Sequence, residues 1–166
     1  MSTPKIYYSD RDVRRHVHNI IRAMNLDGWV PDYIVGLTRG GLVPANMLSQ
    51  YLNVPMECLK VSLRDSNTES ESNLWMAEDA YNGKNILIVD DINDTGATLN
   101  WIRQDWPSGC HPHDAKWQQV WNKNVRFAVL TDNQSSGFHD IDYSGTEINK
   151  AEEDQWIVFP WENWWE

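Results

Sequence analysis

Cysteine is scarce: only Cys58 and Cys110 occur in 166 residues. Two thiols cannot build a disulfide scaffold, so a reducing, cytoplasmic setting is expected. No apolar run is long enough to cross a bilayer, which argues against a membrane partner. The opening "MSTPKIYYSDRDVRR" lacks the basic-then-apolar order of a signal peptide. Positive charge is also short. Fourteen Lys and Arg face 24 Asp and Glu, for a net charge of −10. A general nucleic-acid binder needs the opposite balance to neutralise phosphates, so no nucleic acid is expected as partner. A small phosphorylated ligand held by backbone N–H groups, a metal and one or two arginines stays compatible. There is no internal repeat and no low-complexity linker. A single domain over residues 1–166 follows, with a sizeable core from a 41% apolar composition.

What is present alternates between strand and helix patterns. Ser9 is placed to cap a helix, with Asp10 and Asp12 in its first turn and Val13, Val17, Ile20, Ile21 and Met24 on one face, up to Asp27-Gly28. "DYIVGL" (32–37) reads as a buried strand. "TRGG" follows, and then a helix through Leu42, Val43, Ala45, Met47, Leu48 and Leu52, with Pro44 tolerated in its first turn. "MECLKVSL" (56–63) reads as a strand and the polar 64–73 segment as a loop. "NILIVDD" is a strand, "GATLNWIRQDW" a helix with Leu99, Ile102 and Trp106 inward, and "VRFAVLT" (125–131) another strand. Between these last two, residues 107–124 are long for a connection and read as an insertion. "GFHDIDYSG" gives a weak strand near 139–143. The tail "QWIVFPWENWWE" is extended and broken by Pro160; residues 144–166 read as a hood or tail. Short apolar strands alternating with helices predict an α/β fold with a parallel sheet covered on both faces, and ligands beyond the strands' carboxyl ends.

"ILIVDDINDTGATL" (86–99) then stands out. A buried strand ends on Asp90-Asp91 and continues through Asp94-Thr95-Gly96-Ala97-Thr98 into a helix. That helix start offers unpaired N–H groups and the positive end of the dipole, Gly96 permits close approach, and the threonines add hydroxyls: a phosphate cradle. It is not a Walker A loop, since Gly-Lys-Ser/Thr is missing. Asp90 and Asp91 suit vicinal sugar hydroxyls, or Mg²⁺ held directly or through water. A phosphate site beside a diol site describes a ribose 5-phosphate.

"ILIVDDINDTGAT" resembles the phosphoribosyl-diphosphate (PRPP) motif of type I phosphoribosyltransferases. "YIVGLTRGGLVPANMLSQYLNVP" is similar to the first strand, diphosphate loop and helix of their xanthine-guanine branch, and "DQWIVFPWE" to its base-covering tail. The resemblance implies a central parallel sheet of about five strands with a small hood built from the chain ends. It also implies transfer of 5-phosphoribose from PRPP to a nitrogenous base, a purine first, with release of diphosphate in nucleotide salvage. Asp90 and Asp91 would face the ribose hydroxyls and Mg²⁺. Asp94 would be the candidate general acid/base, and Thr95, Gly96, Ala97 and Thr98 would hold the 5-phosphate. Arg39 and Gly40 would meet the diphosphate in a loop that often carries a non-proline cis peptide. Arg64 would add charge from a lid over 64–73. Trp156 would stack on the base and the Ile157 backbone would read its edge. A homo-oligomer, dimer or tetramer, is implied as well.

The resemblance has one gap. Purine members place a lysine just after the fifth strand to read the oxygen at purine C6; here Thr131, Asp132 and Asn133 occupy that region. Asn133 is the polar side chain offered instead, and xanthine, guanine, hypoxanthine, adenine and a non-purine all stay open as acceptors. The rival readings are a PRPP- or nucleotide-sensing regulator, a phosphoribosyl hydrolase, and an idle assembly module. Cys110, His111, His113 and Asp114 have metal-ligand types but no closed zinc spacing, and read as a surface loop. Trp117 and Trp121, four apart, are expected to pack a helix onto the domain or a second subunit.

Overall fold

The computed structural model describes residues 2–61 and 73–166. Along the chain run β1 (Lys5–Tyr7), α1 (Asp10–Asp27), β2 (Tyr33–Thr38), α2 (Leu42–Leu52), β3 (Met56–Lys60), α3 (Leu74–Tyr81), β4 (Ile86–Asn93), α4 (Ala97–Gly109), a 3₁₀ turn at Ala115–Gln119, β5 (Val125–Asn133), β6 (Tyr143–Ile148) and β7 (Trp156–Val158).

Local chemistry sets the element ends. The Asp12 N–H donates to Ser9 Oγ at 3.0 Å, and the Ser9 N–H donates to Asp12 Oδ2 at 2.8 Å, a reciprocal cap for α1. Gly28, at φ +66°, ends that helix in the left-handed conformation. The expected face Val13, Val17, Ile20, Ile21 and Met24 is buried, joined by His16.

β2 to β6 form one parallel sheet in the order β3-β2-β4-β5-β6. Side-chain alternation divides its residues between two layers. Tyr33, Val35, Leu37, Ile86, Ile88, Val125 and Phe127 pack with α3, α4 and the 3₁₀ turn. Ile34, Leu87, Val89, Ala128 and Leu130 pack with α1 and α2. A slip of one residue in any central strand would exchange these sets, so burial on both faces fixes the register. β1 and β7 pair in parallel as a separate two-stranded hood, Ile6 opposite Ile157. The five-stranded sheet and the hood from the chain ends are as the resemblance implied.

Several boundaries differ from the sequence reading. The fifth sheet strand lies at Tyr143–Ile148 rather than 139–143, because Phe138 turns into the core, 5.0 Å from the Phe127 ring, and Asp142 Oδ2 accepts the Phe127 N–H at 2.8 Å. Residues 139–142 are thus the connection, and the hood begins only after Ile148. α4 runs through Pro107 to Gly109; the proline gives up the bond to the Arg103 carbonyl, and the helix ends two residues later. α3 and β1 had no counterpart in the sequence reading. The expected loop over 64–73, save Asn73, lies outside the described residues, as does the end of the strand expected to reach 63.

The insertion joins the core. Trp117 is 5% exposed, donates from Nε1 to the Cys110 carbonyl at 2.8 Å, and stacks on Trp121 at 5.6 Å. Trp121 in turn lies 6.0 Å from Trp106 and 6.1 Å from Phe127. His111 stacks on Tyr81 at 4.3 Å, and the Tyr81 hydroxyl donates to Asp114 at 2.6 Å. The two tryptophans pack onto their own domain, from a 3₁₀ turn and the residues after it rather than from one α-helix.

Candidate active site

Because β2 and β4 are hydrogen-bonded neighbours, with Gly36 opposite Val89, the loops that follow them emerge side by side on one rim. The first is Thr38-Arg39-Gly40-Gly41, with a cis peptide between Thr38 and Arg39. Its glycines allow contacts that any side chain would prevent. A Cβ on Gly41 would overlap the Val89 carbonyl, and one on Gly40 would overlap the Asp91 carboxylate. Arg39 is exposed and forms no ion pair among the described residues. With Gly40, Asp91, Trp161 and Glu162 it lines a cavity of about 560 Å³.

The second loop ends β4. Asp90 Oδ1 accepts the Asp91 N–H at 2.9 Å and Asp91 Oδ1 accepts the Ile92 N–H at 2.8 Å. Burial pushes Asp90 well above the usual carboxylate range, and the neighbouring charge of Asp91 raises it further. Burial raises Asp91 too, with Glu162 adding repulsion. Two desolvated carboxylates side by side favour a cation or hydroxyl donors. No group of three or more His, Cys, Asp or Glu side chains suited to a metal ion forms among the described residues. A hard cation such as Mg²⁺ fits this pair as an open site that takes further oxygens from substrate and water.

Beyond Asp94, Gly96 stands at φ +88°, and a Cβ there would lie 2.5 Å from the Phe138 nitrogen. Gly96 gives α4 no side-chain cap; the Ala97 N–H donates to Thr95 Oγ1 at 3.3 Å. Its first-turn N–H groups have no intrahelical partner and point along the positive end of the dipole. Residues Asp90 to Leu99 line a cavity of about 220 Å³. Asp91 borders both this cavity and the one beside Arg39. A larger cavity, about 650 Å³, opens between α4 and the 107–124 segment, away from the strand ends and from this chemistry.

The turn after β5 braces the cradle. The Asn133 amide donates to the Asp94 carbonyl at 2.9 Å, the Gly137 N–H donates to the Thr95 carbonyl at 2.8 Å, and Ser136 Oγ donates to Asn93 Oδ1 at 2.8 Å. Asn133 is buried, and its Oδ1 accepts from Ser135 and from the Lys150 N–H. Both ends of the Asn133 amide are therefore engaged within the protein.

The tail reaches the same rim. Trp156 is half exposed, and its N–H donates to the Pro4 carbonyl at 2.8 Å; Ile157 is buried. The Val158 carbonyl accepts the Tyr8 N–H at 2.9 Å. With Trp156 and Val158 bonded to the β1 side, Ile157 presents its own N–H and C=O along the opposite edge. Lys150, which the sequence reading missed, joins tail to loop: its Nζ lies 3.0 Å from Asp94 Oδ1 and 5.3 Å from the Trp156 ring centre. No spacing rule marks such a contact in sequence. Arg64 falls outside the described residues.

Residues 5–163 match the family model described as phosphoribosyl transferase domain. The chain is 32% identical over 157 residues to a xanthine-guanine phosphoribosyltransferase of Cereibacter sphaeroides, covering 88% of this chain and 82% of the relative. It is 32% identical over 133 residues to the enzyme of that name from Idiomarina loihiensis, covering 78% and 70%. A purine phosphoribosyltransferase structure from Pyrococcus horikoshii superposes with a TM-score of 0.67 at 26% identity, covering 96% of this chain and 95% of that one. The acidic strand end, the uncapped helix start and the glycine loop against them thus stand in a chain that belongs to the phosphoribosyl transferase family.

Proposed function

We propose that this protein transfers 5-phosphoribose from PRPP to a ring nitrogen of a purine base and releases diphosphate, as a salvage step. One observation carries the reading: the Asp90-Asp91 pair and the uncapped start of α4 line a single cavity, so one sugar phosphate can engage both. The purine preference is supported by relatives named xanthine-guanine phosphoribosyltransferase at 32% identity.

The roles follow from charge and position. First-turn amides of α4, with Thr95 and Thr98, hold the 5-phosphate. Asp90 and Asp91 accept from the ribose hydroxyls. Arg39 and the loop at Gly40 hold the diphosphate and stabilise the charge it gains on leaving. Mg²⁺ held through Asp90 and Asp91 supplies further positive charge to the diphosphate when bound. Trp156 stacks on the base, and the Ile157 backbone reads its edge. Asp94 holds the base N–H and takes its proton as the nitrogen bonds to C1 of the ribose. The enzyme works in the cytoplasm as a homo-oligomer; the exposed apolar side chains Val43 and Tyr51 support α2 as the associating face.

The deciding experiment incubates the protein with Mg²⁺, PRPP and a panel of bases, following diphosphate and nucleotide together. Equal amounts of the two with a purine are expected. Diphosphate without nucleotide for every base means hydrolysis. Neither product, with PRPP still binding by calorimetry, means a sensor.

A further inference from the structure

We infer that the arginine face of α1 is an interaction surface for a second copy of this chain, and that it receives the acidic turn between β6 and β7 of that copy. The contact is separate from the proposed reaction and from the α2 face.

The chain carries a net charge of −10, yet Arg11, Arg14, Arg15, His18 and Arg22 stand exposed on α1 and line a surface cavity of about 430 Å³. Their spacing puts all five on one side of the helix, in a stripe about 16 Å long. Like charges one turn apart repel, so the bare stripe weighs against the fold of a single copy. Among the described residues only Arg15 has an ionic partner, Asp12 of the same helix at 3.3 Å. Arg22 donates to Asn19 at 2.7 Å. Leu26, 89% exposed, continues the stripe by one more turn.

The complement lies on the same chain. Glu152, Glu153 and Asp154 are consecutive, exposed and without a cationic partner among the described residues. The turn that carries them is ordered by its own bonds. The Glu152 and Glu153 N–H groups donate to the Asn149 carbonyl at 3.1 and 3.0 Å, and Asp154 accepts from the Thr3 hydroxyl at 2.9 Å. Both surfaces are thus formed in advance, which lowers the cost of association. No ion pair joins them within a protomer. Between two copies, each arginine face meets an acidic turn, and a two-fold pair makes the contact twice. A foreign acidic partner would leave the acidic turn uncovered, whereas a second copy compensates both patches at once. Exposed ion pairs alone contribute little. Leu26 beside the arginines, and Tyr7, 67% exposed on the strand that pairs with β7, supply apolar surface to bury.

The test measures mass by light scattering behind gel filtration, at one fixed protein concentration. Wild type is expected to halve in mass between about 50 mM and about 500 mM salt, as screening shortens the reach of the attraction. The double variant Arg14→Glu, Arg22→Glu is expected to show the halved mass already at low salt, and so is the double variant Glu152→Lys, Glu153→Lys. Mixed in equal amounts, the two variants are expected to regain the full mass, because each then offers the charge that the other needs. A misfolded variant cannot give that recovery, and the salt series on wild type needs no variant. A wild-type mass that ignores salt, variants that keep the wild-type mass, or a mixture that stays at half of it would each overturn the contact.

Discussion

Gly40 lies so close to Asp91 that a methyl group built on it would stand 2.5 Å from the Asp91 carboxyl carbon. The Thr38–Gly41 loop and the acids that end β4 are therefore one surface, with the absent side chain as the condition of their contact. Gly40→Ala must lift the loop off Asp91. The expected result is a rise of about tenfold or more in KM for PRPP, since small displacements of positioning groups are costly. Initial rates over a PRPP series, with a melting curve to confirm folding, check this.

Asp94 and Arg39 act on different atoms in the proposed reaction, so their variants should differ in kind. Arg39→Ala is expected to lower kcat by about 10²-fold, through lost stabilisation of the departing diphosphate. Asp94→Asn is expected to lower kcat by a similar factor of about 10²-fold, through loss of the proton acceptor, while PRPP still binds. Isothermal titration with PRPP and steady-state rates separate the two; full activity in both would remove the assignment of these loops.

Asp90 sets activity against stability. Burial raises its folded pKa above the unfolded one, so the fold binds this proton more tightly than the unfolded chain does. That contribution is fully present below the ordinary carboxylate range and is lost as pH rises through the raised value. At neutral pH the charge therefore weighs against the substrate-free fold. Asp90→Asn keeps an oxygen for the Asp91 N–H and should raise the melting temperature by about 3 °C at neutral pH, an advantage that shrinks as pH falls. Catalysis should be lost in the same variant. Melting curves over a pH series, with activity alongside, test both signs.

Trp117 should behave as a core residue. It is buried, stacked on Trp121, and bonded through Nε1 to the Cys110 carbonyl. Trp117→Ala is expected to cost about 3–5 kcal/mol in denaturant unfolding. A loss below about 1 kcal/mol would return the tryptophan-rich segment to the status of a surface module.

Much of this was readable residue by residue. Ser9, Asp12 and Gly28 mark α1 because caps act over three or four residues, and the apolar run into Asp90-Asp91 marks β4 because a fully buried strand tolerates little else. What escaped depends on distant partners. β1 is three exposed residues whose only reason to be extended is β7. α3 has no side-chain cap, and β6 was misplaced because Phe138 belongs to the core and not to the sheet. At the candidate site, Asp90 to Leu99 are contiguous in sequence, so it was legible that they would line one cavity. Lys150 touches Asp94 only through the folded tail, and Asn133 looked free because its partners lie on other segments.

The hood pairs β7 with β1 and shares no strand with the five-stranded sheet. In the proposed reaction the groups that grip the donor sit on the rim of the five-stranded sheet, whereas the wall that would meet the acceptor is carried by a pair of strands with its own backbone bonds. Substitutions in that pair can alter which base is chosen without disturbing how the sugar is held, so a lineage can change its diet of bases while keeping its chemistry.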